Sequence, residues 1–387
     1  MGSAPVVNWA ILKIAQRCNI NCTYCYVYNR GDTSWQGRPA VMSDEIVLAV
    51  AQRIRRQAEE FGLKEFHVEL HGGEPLLVGR RRFEAICATL KEHARVDLRF
   101  HMQTNGLLLD RDWLGLLDRL DVSFGISLDG PPELHDRNRV DHFGRGTSDR
   151  LTSILHDLST ERSFHRLFGG ILCVVSKPLP HGGELLDWFV RNGVRDIDFL
   201  LPDGNHANLP GPDFDPADFA RFWIEVYDRW SAYGQAAPRI RTLRTLLRGL
   251  VGEKSGMDAH GGDLRTMLVV ETDGSIGISD VGRICAPLNE DVHHVRTHEF
   301  RAHQEREDIA LMQRLPAKCT DCRWLPACGG GYLPHRFTGK DFSQPSIYCD
   351  VWDALLERMA GEIATELERI NVGPGFSASR TAHRPAA

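Results

Sequence analysis

The sequence lacks any apolar run of the roughly 18–20 residues that cross a bilayer. Its opening residues, Met1 to Asn8, carry neither a basic segment nor an apolar one, so no secretion signal is read there. A surplus of positive charge is also missing: 46 Lys and Arg face 52 Asp and Glu, for a net charge of −6. That balance offers no footprint for nucleic acid or for an anionic membrane surface. No internal repeat is visible. These absences lead to the expectation of a soluble, cytoplasmic protein with neither nucleic acid nor membrane as partner. With 387 residues, the chain is long enough for one large core and a smaller one.

Cysteine is abundant, with ten residues. In a chain read as cytoplasmic, clustered cysteines point to metal binding or redox chemistry rather than to disulfides. Seven fall into two groups: Cys18, Cys22 and Cys25, then Cys319, Cys322, Cys328 and Cys349. Cys87 lies in a helical pattern and Cys173 in an apolar strand-like run, where a small buried hydrophobe is the better reading. Cys285 is left open.

The pattern along the first half alternates strand and helix. Strands are read at Trp9–Ala15, Phe66–Leu70, Leu98–Gln103, Phe124–Leu128, Gly170–Val175 and Asp196–Leu200. Helices are read at Asp44–Phe61, Arg80–His93, Asp110–Leu120, Thr147–Ser159 and Gly183–Asn192, with Ser43 and Gly62 as the caps of the first. Six βα units predict a parallel sheet, too few for a closed eight-fold barrel. Ligands of such sheets sit at the C-terminal ends of the strands. The cysteine loop, Gly72-Gly73-Glu74-Pro75, Thr104-Asn105-Gly106 and Ser127-Leu128-Asp129-Gly130 all follow strands and should line one rim. Helices are read at Phe219–Trp230 and Arg239–Val251, a β-hairpin at Leu268–Glu271 and Ile276–Ser279 turning at Gly274, a helix at Val351–Ile370 and a loose tail beyond it. The expected organisation is 1–205 a partial barrel, 206–262 a helical connection, 263–352 a small domain with the second cysteine group, and 353–387 a helix and tail.

Three thiolates in the spacing Cys18-x3-Cys22-x2-Cys25 select an iron–sulfur cluster, zinc or copper. The loop, its position after strand one, and the GGEP, TNG and SLDG segments in that order resemble the radical SAM superfamily. The resemblance implies an α/β fold, a partial (β/α)6 barrel, and a [4Fe–4S] cluster whose fourth iron binds S-adenosylmethionine (SAM). Reductive cleavage of SAM would then give a 5′-deoxyadenosyl radical. It also implies cofactor contacts from Tyr24, Gly72, Gly73, Glu74, Asn105, Ser127, Asp129 and Arg139, with Gly73 and Glu74 at the SAM amino group and Ser127 near its ribose or carboxylate. The stretch Ser127 to Thr147 is similar to the peptide- and protein-modifying branch, which includes the anaerobic sulfatase maturases.

Four thiolates at Cys319, Cys322, Cys328 and Cys349 suit a closed [4Fe–4S] cluster or a structural zinc site. Beside the barrel they resemble the distal-cluster half of a SPASM (twitch-like) domain. A full SPASM domain has a proximal cluster too, with cysteines five residues after the hairpin glycine and four after the third distal cysteine. Ser279 and Tyr332 stand at those positions, so one auxiliary cluster is expected rather than two. Asp280 matches, by the same resemblance, the aspartate that accepts a proton in sulfatase maturases; a solvated hairpin carboxylate is the alternative.

Cys25-Tyr26-Val27-Tyr28, the segment through Trp35, Arg38 and Pro39, and Cys328-Gly329-Gly330-Gly331-Tyr332 look like FxsB-type maturases. That resemblance implies a ribosomally made precursor peptide as substrate, an external electron donor of flavodoxin or ferredoxin type, and cyclophane formation between an aromatic ring and a β-carbon. Tyr26, Tyr28, Trp35 and Tyr332 would line the peptide groove or else serve as packing aromatics. No fused leader-recognition domain is expected. Oxidation of Cys or Ser to formylglycine is the second reading, and a non-catalytic peptide-binding or redox-sensing protein the third.

Overall fold

The computed structural model describes residues 5–286 and 293–372. Ten strands form one sheet: β1 Trp9–Ala15, β2 Glu65–Gly72, β3 Asp97–Thr104, β4 Val122–Ser127, β5 Phe168–Val174, β6 Asp196–Leu200, β7 Arg239–Ile240, β8 Met267–Val270, β9 Ser275–Gly277 and β10 His293–His294. Their order is β10-β9-β8-β1-β2-β3-β4-β5-β6-β7. Strands β1 to β6 are parallel neighbours in chain order, the expected partial (β/α)6 barrel of an α/β protein.

The sheet extends past both of its expected edges. Two-residue β7 adds to β6. The hairpin is present, and its first strand β8 runs parallel to β1, pairing Leu12 with Val270. The hairpin therefore carries the barrel sheet onward. A short helix at Arg162–Leu167 was not anticipated, and β5 begins two residues earlier than read. The last helix starts on Cys349 itself and runs to Val372; the rest of the tail lies outside the described residues.

Helices cover the outer face: α1 Asp44–Phe61, α2 Arg80–Ala94, α3 Arg111–Leu120, α4 Ser148–Leu158, α5 Gly182–Arg191, α6 Pro216–Ala232, α7 Arg241–Leu250 and α8 Cys349–Val372. Ser43 caps α1 by accepting from the Ile46 N–H, and Gly62 ends it in a left-handed turn. Helix α8 lies on α6, with Trp223 and Trp352 5.7 Å apart. Leu264, Ile278, Cys285, Ile309, Leu333 and Phe337 form a separate small core, while Cys328 of the second cysteine group packs against the main core. Cys87 and Cys173 are fully buried in the main core, as read.

Strand periodicity explains the shape of the interior. Phe66, Val68 and Leu70 of β2, Phe100 and Met102 of β3, and Val122, Phe124 and Ile126 of β4 are buried on the helix side. The alternate residues His71, Gln103, Ser127, Glu69, His101 and Ser123 line interior cavities. Purely parallel sheets covered on both faces have near-continuous apolar strands. Here the inner face is largely polar, so the barrel encloses a polar lumen.

Candidate active site

The Cys18–Cys25 loop leaves the end of β1 and is held from two sides. On one side, Gly73 N–H donates to the Ala15 carbonyl and Glu74 N–H to the Arg17 carbonyl, each at 2.9 Å. A Cβ on Gly73 would fall on the Arg17 carbonyl and Tyr28 Oη, so only glycine lets β2 meet the loop this closely. What Gly73 can still offer the lumen is a carbonyl oxygen, an acceptor for an ammonium group. On the other side, Asn21 N–H donates to Val140 O at 2.7 Å and Thr23 N–H to Asn138 O at 3.0 Å. His142 Nε2 adds a 2.9 Å bond to Cys18 O.

Cys18, Cys22 and Cys25 open onto a cavity of about 220 Å³ that Gly72, Gly73, Tyr24, Asn105, Ser127 and Arg139 also line. Nine of the eleven positions that the resemblance singled out for cluster and cofactor, all but Glu74 and Asp129, thus meet at one cavity. Asn105 Nδ2 lies 3.7 Å from Cys18 Sγ and Arg139 Nη1 3.8 Å from Cys22 Sγ. Burial pushes the free thiols of Cys18 and Cys22 up to about 12 and about 11; bound iron would favour the thiolates by supplying positive charge. Ser127 Oγ accepts from Gln103 Nε2 at 2.9 Å, leaving its own hydrogen to donate.

Glu74 and Asp129 do not line this cavity and act one layer behind it. The fully buried Glu74 carboxylate accepts from Leu76 N–H at 3.1 Å, Thr104 Oγ1 at 2.7 Å and Asn105 N–H at 2.9 Å. Burial pushes its carboxyl up to about 7 against these donors. It therefore ties the loop after β2 to the loop after β3. Asp129 accepts from Tyr24 Oη at 2.5 Å and from Val174 N–H at 3.0 Å, and pairs with Arg139 at 3.1 Å. Arg139 also sits over the Tyr24 ring.

Beside the cavity, Asp280 is buried and paired with Lys13, and its other oxygen accepts from Tyr26 Oη. His71 Nδ1 is 3.8 Å from Asp280 and 2.9 Å from Lys13 Nζ. Desolvation opposes charge on Asp280, but Lys13, His71 and Arg283 prevail and hold its carboxyl well below the usual carboxylate range. Burial, helped by Lys13, lowers His71 to about 4; the neutral ring then accepts the Lys13 proton at Nδ1 and carries its hydrogen on Nε2. Lys13 and His71 were missed as a pair, although the polar alternation His67, Glu69, His71 in a parallel strand signalled them.

Ser279 and Tyr332 come together: their hydroxyls share a 3.2 Å hydrogen bond, and Tyr332 stacks edge-on against His335. Cys285 is buried and 3.5 Å from the Pro334 carbonyl, with Asn205 Nδ2 3.7 Å from its sulfur. Tyr28 donates to the Gln16 carbonyl at 2.9 Å and packs edge-on with Trp35. Tyr26 and Tyr28 line the SAM-side cavity, while Trp35 and Tyr332 do not.

Cys319, Cys322, Cys328 and Cys349 surround a second cavity of about 170 Å³. Gly329, Gly330 and Gly331 follow Cys328 with φ of 65°, 87° and 76°, a left-handed run that favours glycine.

The model of the radical SAM superfamily matches residues 12–161, the span from β1 through α4 that carries this site. Over that span the chain is similar to the radical SAM superfamily. It is an enzyme of radical oxidation chemistry, with a [4Fe–4S] cluster and SAM as cofactors. A cysteine-type anaerobic sulfatase-maturating enzyme of Clostridium perfringens is 26% identical over 363 residues, 91% of this chain and 96% of that protein. A serine-type counterpart of Bacteroides thetaiotaomicron is 23% identical, covering 85% and 83%. Among solved structures, native anSMEcpe with bound AdoMet superposes with a TM-score of 0.80 at 22% identity, covering 93% of this chain and 99% of that one. Streptococcus suis SuiB bound to its precursor peptide SuiA gives 0.59 at 18% identity, covering 89% and 76%. These likenesses to solved structures carry the fold. No helix among the described residues is long and apolar enough to cross a membrane.

Proposed function

We propose that this enzyme oxidises a side chain of a ribosomally made precursor peptide, removing two hydrogens and joining an aromatic ring carbon to a β-carbon. Cys18, Cys22 and Cys25 hold the SAM-binding cluster. Cys319, Cys322, Cys328 and Cys349 hold one auxiliary cluster, fed or drained by an external donor of flavodoxin or ferredoxin type. When bound, the cluster and SAM supply a 5′-deoxyadenosyl radical that takes a hydrogen atom from carbon.

The observation that carries the cross-linking reading is the Ser279–Tyr332 hydrogen bond. The two positions where a full SPASM domain has proximal-cluster cysteines meet here as hydroxyls, neither of them a soft ligand. The substrate side of the lumen is then bounded by Tyr26, Tyr28 and His71 rather than by a second auxiliary cluster. Asp280 anchors Lys13 and Tyr26 and so fixes the wall against which the reacting carbon sits. Formylglycine formation is the second reading. Asp280 and the sulfatase-maturating relatives favour it.

The test is mass spectrometry of an anaerobic reaction with SAM, reductant and the precursor peptide encoded nearby. Loss of two hydrogens with fragmentation blocked across a segment containing an aromatic residue supports the cross-link. A two-hydrogen loss confined to one Cys or Ser, trapped as an aldehyde by hydroxylamine, replaces it with formylglycine.

A further inference from the structure

Below the SAM-side cavity lies a larger one, about 590 Å³, open at the N-terminal ends of the strands. Gln103 and Leu172 line both, so the two cavities adjoin along the lumen. The register orders their walls in layers. Trp9 pairs with His67 at the bottom, Ile11 with Glu69 and Glu69 with His101 in the middle, and Lys13 with His71 above. His101 pairs onward to Ser123. Glu69 lies two residues below His71 on the same strand face, a rise of about 6.6 Å.

Most charged groups around Glu69 are committed elsewhere: of the arginines that line the same cavity, Arg239 pairs with Asp196 and Arg248 with Glu253, while Arg244 has no hydrogen bond or ion pair among the described residues. Above it, Lys13 and Asp280 pair with each other, and His71 accepts from Lys13. Across the lumen, Arg241 pairs with Asp198 at 2.8 Å. On β3, His101 is bonded to Ser123 Oγ at 2.9 Å and to His67 at 3.0 Å. The Glu69 carboxylate has no hydrogen bond or ion pair among the described residues. Its burial pushes the carboxyl up to about 7, while Asp280, with both oxygens engaged, is held far too acidic to keep a proton near neutral pH. A proton acceptor works best when its pKa lies near the working pH.

We propose that Glu69 accepts the proton released in the oxidation and that the floor cavity returns it to solvent. The inference rests on the two-hydrogen oxidation proposed above and holds for either product. The balance is one hydrogen atom taken from carbon, one electron passed to the iron–sulfur cluster on the second cysteine group, and one proton passed down the lumen to the Glu69 carboxylate. The proposed path crosses the gap through water, for which a cavity of this size has room for many molecules at the 10–15 Å³ or so that each needs. Glu69 thus acts through water as a positioning residue of the proton path.

The experiment compares wild type with Glu69→Gln and Glu69→Asp. With saturating peptide, wild-type kcat should rise with pH along a limb near pH 7. Glu69→Gln is expected to lose that limb and at least about ten-fold in kcat, and Glu69→Asp to keep a limb at lower pH. Infrared difference titration of the peptide-free proteins should show two carboxyls titrating near pH 7 in wild type, those of Glu69 and Glu74, and Glu69→Gln should lose one of them. An unchanged limb in Glu69→Gln, a change in KM alone, or a carboxyl signal between about pH 6 and 8 that Glu69→Gln leaves undiminished overturns the proposal. The infrared arm needs no peptide, so it separates failure of this inference from failure of the peptide reading.

Discussion

Asp129→Asn tests how the cysteine loop is held. The substitution keeps the shape and the Val174 contact but leaves the buried Arg139 guanidinium without its counter-charge. The two side chains are 8% and 2% exposed, and breaking such a pair from one side costs about 3–5 kcal/mol. For 387 residues, unfolding entropy near 2.1 cal/mol/K per residue amounts to about 0.8 kcal/mol per kelvin. Thermal unfolding of the metal-free protein should therefore fall by about 4–6 °C. Arg139→Met combined with Asp129→Asn should recover about 1–3 kcal/mol of the summed single losses, because the charges are then removed together. Tyr24 Oη loses its carboxylate partner, so reconstituted Asp129→Asn should also hold less iron on the first cysteine group. A shift under about 1 °C with full iron content would refute the reasoning.

Cys285→Ala should leave iron and sulfide content unchanged, since its thiol faces a carbonyl in the small core, with a stability loss of about 1 kcal/mol; reduced iron would make it a ligand. Lys13→Met strands the Asp280 carboxylate. Because the folded pKa of Asp280 lies below the unfolded value of 3.8, the stabilisation from Lys13 is fully present above about pH 4 and is lost as pH falls below it. Urea midpoints of wild type and variant should thus differ most at neutral pH and converge in acid. Gly73→Ala places a Cβ on the Arg17 carbonyl and Tyr28 Oη, and the Arg17 backbone cannot yield without moving the cysteine loop. SAM binding measured by equilibrium dialysis should fall at least about ten-fold with the fold retained by circular dichroism.

Much of this was legible because cofactor chemistry fixes residue types at short spacing. Cys18, Cys22, Cys25 and the GG, TNG and SLDG segments each sit on one strand end, and strand alternation brings strand ends to one rim. Glu74 and Asp129 were marked as part of the site, but sequence cannot tell a side chain that meets a cofactor from one that braces the loop meeting it. The pairing of β8 with β1 was also hidden, because contacts across 258 residues leave no local signature. Glu69 was passed over for a similar reason: its isolation depends on Arg241 being taken by Asp198 and on Lys13 being taken by Asp280.

The most direct test of the central claim is electron paramagnetic resonance of the reduced, reconstituted protein with and without SAM. SAM should alter one of two cluster signals in wild type. The triple variant Cys18→Ala, Cys22→Ala, Cys25→Ala should lose that SAM-responsive signal and keep the other. A wild-type spectrum indifferent to SAM, or a triple variant that still responds, would contradict the account.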